Sequence, residues 1–265
     1  MNTELQLPYW EWWIVVYFFA GGIAGGAYFI ACMIELFGRQ EDRQIAHAAY
    51  TLALPLSILC AVCLILDLGR PERFWHMIID ASAIQSGHYA DFIGLKINSP
   101  ISVGSYVLLG FGLFSLLSFV DMLVETGRMK PILGFSYSGL PRRIYAVLGA
   151  LCGLFLASYT GVLLAHTHVP AWADTPLLGA LFVASGASTG LAAIALVLGA
   201  RRARLEGGAW SRVKLADNYA ILLEVVLLIA IVGLLGAASA PFFARANGVL
   251  LIGGVLVLGL LLFLG

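Results

Sequence analysis

Charge is what this sequence has least of. Only 11% of its 265 residues are charged and 61% are hydrophobic, whereas ordinary soluble domains carry about a quarter charged residues. Fifteen basic and fifteen acidic residues cancel, which excludes the cationic surplus that a nucleic-acid partner requires. Met1 to Trp13 holds no Lys or Arg and carries Glu4 and Glu11, so a cleavable secretion signal is not expected. Cysteine is equally sparse. Cys32, Cys60, Cys63 and Cys152 all fall inside apolar runs. Cys60-x-x-Cys63 has no second pair, so these thiols read as small buried hydrophobes, and no metal or iron–sulfur site is expected. Histidine pairs inside opposing spans are also missing. His47 lies at a helix end, His76 and His88 in a loop, and His166 and His168 at an edge, an arrangement that argues against haem.

Long apolar runs fill the remainder. A helix crossing the hydrocarbon core needs about 20 apolar residues. Runs of that order lie at about Trp12–Phe37, Ala46–Leu66, Ile101–Val120, Ile144–Ala165, Pro176–Ala200 and Leu215–Ala240, with a shorter seventh at Val249–Gly265. The chain is therefore an all-α, polytopic membrane helix bundle of seven to eight transmembrane helices. The connections after spans one, three and five hold Arg39, Arg43, Arg128, Lys130, Arg142, Arg143, Arg201, Arg202, Arg204, Arg212 and Lys214. The other side holds Arg70, Arg73, Lys96 and Arg245. That bias of eleven to four predicts an outside N-terminus in a bacterial or archaeal cytoplasmic membrane. Pro71 suits a first helical position, and Phe74, Trp75, Ile78 and Ile79 share one face. A short amphipathic helix in the outer interface is expected after span two.

Orientation gathers scattered polar groups. Tyr17 lies one turn inside the outer end of span one. Asp67 and Arg70 close span two, Ser99 and Ser102 open span three, and Ser158-Tyr-Thr160 nears the outer end of span four with His166 beyond. Ionisable groups at a span end are costly unless they pair, reach water or meet a ligand. An apolar slot with a few converging polar groups is a small-molecule site. Gly21-Gly-Ile-Ala-Gly-Gly26 in span one favours close helix packing. A flat ligand approaching Gly22 and Gly26 beside Tyr17 is the functional reading. Glu35, Asp217 and Glu224 form an inner set. Asp217 reads as a carboxylate opening span six, and Glu224 as a buried partner or proton relay.

Several of these segments together resemble the NrfD-type membrane subunits, the family of polysulfide reductase's integral-membrane subunit. The resemblance rests on Gly22-Ile-Ala-Gly-Gly26, Asp67-Leu-Gly-Arg-Pro71, Ser99-Pro-Ile-Ser-Val-Gly-Ser105 and Ser158-Tyr-Thr-Gly161, with Asp217 seven residues before Glu224. It implies eight or more spans in two four-helix bundles. Residues 1–143 would form an N-terminal bundle carrying the outer pocket with span four, and 144–265 a C-terminal set short of one helix. It implies menaquinone or ubiquinone as the cofactor, a four-cluster ferredoxin-like iron–sulfur partner, and often a molybdopterin catalytic subunit. By position, Tyr159 matches the family's quinone-site tyrosine, and Asp67 and Arg70 match the element bordering the pocket. Tyr17 and Ile14 replace a His and an Asn, so head-group contacts differ here. On this reading Asp67, Arg70 and Tyr159 are catalytic, Tyr17, Tyr159, His166, Gly22 and Gly26 bind quinone, and Glu35, Asp217 and Glu224 carry protons. The alternative is a polytopic transporter or proton-conducting protein. A transporter favours broken helices and an internal repeat, and no repeat is evident.

Overall fold

The computed structural model describes residues 12–78, 99–130, 139–165, 175, 177–201 and 208–243. Among them the chain is helical throughout, with six helices long and apolar enough to cross a membrane. These are α1 (Trp12–Phe37), α2 (Arg43–Leu66), α3 (Pro100–Glu125), α4 (Leu140–Ala165), α5 (Leu178–Ala200) and α6 (Ala209–Phe243). The expected seventh span, Val249–Gly265, lies outside the described residues.

Four boundaries differ from the hydropathy reading, all at the end expected to face the cytoplasm. Helix α2 starts at Arg43, α3 runs on to Glu125, α4 starts at Leu140 and α6 starts at Ala209. Hydropathy stops at the first charge. Backbone hydrogen bonding continues through charged residues wherever those residues find partners, and here they do.

After α2 the chain turns at Asp67, whose amide donates to the Cys63 carbonyl. Pro71–Met77 forms a 3-10 stretch broken at Arg73, where a regular amphipathic helix was expected. Seven residues are too few to hold an α-helix without support, and 3-10 geometry serves short pieces. Phe74 and Trp75 do face outward, and the Tyr106 hydroxyl of α3 donates to the Ile78 carbonyl at 2.7 Å.

Helix α1 is central, packing on α2, α4 and α5, while α3 closes the ring against α2 and α4. Helix α6 packs chiefly on α5. Missing side chains allow these approaches. A Cβ on Gly25 would collide with the Gly153 carbonyl of α4, and one on Gly26 with the Gly186 carbonyl of α5. Without water to drive apolar helices together inside a bilayer, such backbone contact supplies the dispersion energy that does so. Ala24, Ala27, Ala31 and Tyr28 complete a core in which α1 is closed off on most sides.

Candidate functional site

At the end expected to face outward, two tyrosines stand at the centre of the candidate site. Tyr17 of α1 and Tyr159 of α4 are both buried, 3% and 5% exposed, and lie close enough to interact electrostatically. Local packing fixes each of them. The Cys60 thiol of α2 donates to the Tyr17 carbonyl at 3.6 Å, and the Tyr17 ring tilts against Phe18. The Tyr159 ring stacks on Phe155, one turn earlier, with centroids 5.7 Å apart. Its far face is set by Gly104 of α3, where a Cβ would stand 2.6 Å from the Tyr159 ring. Two sequence motifs thus meet, one on span three and one on span four. Ser102 and Ser105 are buried on the same helix, with the Ser105 hydroxyl turned back to the Ile101 carbonyl.

The Tyr17 hydroxyl has no hydrogen-bond partner among the described residues. Asp67 caps α2 seven residues beyond Cys60, about 10 Å further along the axis. Arg70 is exposed just before Pro71. Both sit on the rim at the tyrosine end. Ser99 takes the N-cap position of α3 ahead of Pro100, without a side-chain capping bond. His166 and His168 lie outside the described residues.

Gly22 and Gly26 face the backbone of α5 at Gly186, and Gly161 faces that of Gly179. The space left by Gly22 and Gly26 is filled by a helix, as the close-packing reading expects.

At the inner end the structure assembles a cluster that span-by-span reading did not join. Arg142 is buried, with Nε 2.9 Å from Asp121, and Nη2 2.9 Å from Glu35 and 2.7 Å from Glu125. Arg43 reaches Glu35 at 2.7 Å and Glu125 at 3.0 Å, and His47 lies 3.3 Å from Glu125. The Tyr50 hydroxyl donates to Glu35 at 3.5 Å. Above it, Tyr28 shares a 2.6 Å hydrogen bond with Ser118. Ser115, Ser118, Asp121 and Glu125 repeat every three or four residues and line one face of α3. That spacing was the signal in the sequence. Hydropathy bounds span three at Val120, ahead of Asp121 and Glu125, which hides it.

Among the predicted inner residues, Glu35 belongs to this ion network. Asp217 accepts from Ser188 of α5 at 3.0 Å. It lies eight residues inside α6, about 12 Å from the helix start, so the reading as an N-terminal carboxylate is corrected. Glu224 is partly buried on the same helix, without an ion pair among the described residues. No cluster of His, Cys, Asp and Glu able to hold a metal occurs among the described residues.

The family model described as polysulphide reductase, NrfD, matches residues 2–264 of the sequence. A component of the polysulfide reductase of Wolinella succinogenes is 28% identical over 195 residues, 71% of this chain and 57% of that protein. Protein NrfD of Escherichia coli is 28% identical over 203 residues, 74% of this chain and 61% of the relative. A component of the selenate reductase of Mesobacillus selenatarsenatis is 30% identical over 79 residues, 30% of this chain and 18% of its own length. The matched region spans less than two thirds of the length of each of these three relatives. With a family match that runs from end to end and apolar helices that traverse the whole bundle, this is a multi-pass membrane protein belonging to the polysulphide reductase NrfD family.

Proposed function

We propose that the chain is the quinone-reactive membrane subunit of a respiratory oxidoreductase. It would exchange electrons between the menaquinone or ubiquinone pool and an iron–sulfur partner, and it is not catalytic alone. The observation that carries this reading is that two buried tyrosines from different helices, Tyr17 and Tyr159, come together at the helix ends expected to face outward. A quinone fits such a place: its carbonyl oxygens accept from phenols, and its isoprenoid tail needs apolar walls. Tyr17 donates to one carbonyl, and Tyr159, held by Phe155 and Gly104, orients the ring. Asp67 and Arg70 lie where protons pass between the pocket and water. The quinone, when bound, supplies the two-electron, two-proton chemistry. The electrons leave to a four-cluster iron–sulfur subunit on the outer side, itself coupled to a molybdopterin subunit. Relatives named as parts of polysulfide and selenate reductases support an oxidoreductase complex of this kind.

Quinol oxidation by the purified complex tests the reading. Removing one hydrogen bond to the head group costs about 1 kcal/mol, or roughly a fivefold loss. Tyr159→Phe and Tyr17→Phe are each expected to lower quinol kcat/KM by about that factor with assembly intact. Normal quinol kinetics in both variants would overturn the assignment.

The inner carboxylates extend the same reading to proton translocation. Glu35 belongs to the ion network, Asp217 bonds Ser188, Glu224 follows two turns further along α6, and the Ser115–Ser118–Asp121 face of α3 leads from the Arg-rich end toward mid-membrane. The Ser115 hydroxyl is buried without a protein partner among the described residues, a site suited to a bridging water.

A further inference from the structure

A cavity of about 250 Å³ opens at the Arg-rich end, where the end of α1, the start of α2 and the start of α4 converge. Arg39, Arg43, Arg142 and Arg143 line it, with Glu35 as the one carboxylate in the wall. Four guanidinium groups face one carboxylate, a formal surplus of three positive charges. Deeper ion pairing reduces that surplus unevenly. Arg43 and Arg142 are committed to Glu35, Glu125 and Asp121. Arg39 and Arg143 make no ion pair among the described residues and are exposed. Gly139 also lines the cavity at the start of the 26-residue helix α4, and its carbonyl accepts from the Arg143 amide. Arginine forks match the oxygens of a phosphate.

Two further residues bear on where the phosphate comes from. Phe37 and Leu140 adjoin the lining residues Gly38 and Gly139 in the chain and are 79% and 70% exposed. Large apolar side chains beside a cationic cavity at a membrane surface suit acyl chains below a headgroup. Basic pockets between helix ends on the cytoplasmic side bind anionic lipid headgroups.

We propose that this cavity binds a phosphate group supplied by the headgroup of an anionic phospholipid in the leaflet at the Arg-rich end. Arg39 and Arg143 clamp the phosphate oxygens. Arg142 and Arg43, held by their carboxylates, form a rigid floor beneath them. The site is separate from the tyrosine pocket and does not depend on what that pocket binds.

The test uses the detergent-purified complex that contains the chain, stripped of lipid. It is titrated with short-chain phosphatidylglycerol, short-chain phosphatidylcholine and inorganic phosphate, read by native mass spectrometry and thermal shift. Phosphatidylglycerol is expected to bind more tightly than phosphatidylcholine. The double variant Arg39→Gln with Arg143→Gln is expected to weaken it about tenfold. A control, Arg128→Gln with Lys130→Gln, removes two exposed charges elsewhere at the same end and is expected to leave binding unchanged. Melting temperatures without lipid show whether each variant is folded. Inorganic phosphate binding as tightly as the lipid, with the same arginine dependence, would support the phosphate site and overturn the lipid as its source. Equal losses in the two double variants, or none in the first, would overturn the proposal as a whole, because binding would then reflect diffuse surface charge.

Discussion

The Arg142 guanidinium lies 2.9 Å from the Asp121 carboxylate, and the two side chains are only 8% and 1% exposed. One residue begins α4 and the other nears the end of α3, so their pairing fixes how the two helices end at that surface. Desolvating such a pair is expensive, and it persists because Glu35, Glu125 and Arg43 complete it. Breaking the network by removing one member therefore costs more than the pair contributes.

Arg142→Met is expected to destabilise the folded protein by about 3–5 kcal/mol, because Asp121 is left buried without its cation while Glu35 keeps only Arg43. Combining it with Asp121→Leu should recover part of the loss. Thermal unfolding in detergent checks both, and a double variant no more stable than the single one would argue against charge burial as the cause.

Gly26→Ala should disturb packing far more than Gly112→Ala. The added methyl at Gly26 runs into the Gly186 carbonyl, whereas nothing lies within 4 Å of a Cβ at Gly112. A forced backbone shift costs about 1–3 kcal/mol. Folded yield and melting temperature are the measurements. Equal behaviour of the two variants would contradict the α1–α5 contact.

Tyr28→Phe offers a contrast to the pocket tyrosines. Tyr28 bonds Ser118 at mid-membrane, away from the outer pocket. Its loss should lower stability by about 1 kcal/mol while leaving quinol KM unchanged. Tyr17→Phe should do the reverse, raising KM with little change in melting temperature. A shift in quinol KM with Tyr28→Phe would mean that the pocket extends deeper than proposed.

Glu224→Gln is expected to reduce proton translocation by the complex in proteoliposomes at unchanged electron turnover. Asp217→Asn should weaken the α5–α6 contact through Ser188 as well as proton movement. Pumping that stays normal in both variants would remove α6 from the route and leave only the α3 face.

Six spans were legible in the sequence, since a helix in lipid must satisfy its own backbone and be apolar for about 20 residues. So were the polar residues at the other helix ends. Asp67, Arg70, Tyr17 and Tyr159 stand out because polar groups are rare in so apolar a chain. The doubled glycine motif was read for close packing as well, and α4 and α5 occupy its two faces.

Partnership was what the sequence alone did not decide. Hydropathy ends a span at the first charge, so Asp121, Glu125 and Arg142 were read as span margin or loop, though each is helical and shares one ion network. The meeting of Gly104 with Tyr159 is likewise invisible along the chain, because their 55-residue separation says nothing about distance in space. One-dimensional periodicity determines which face of a helix is polar and how long the helix is. Which helix covers that face, and therefore whether a charge is paired, is decided only when backbones pack at the glycines of α1.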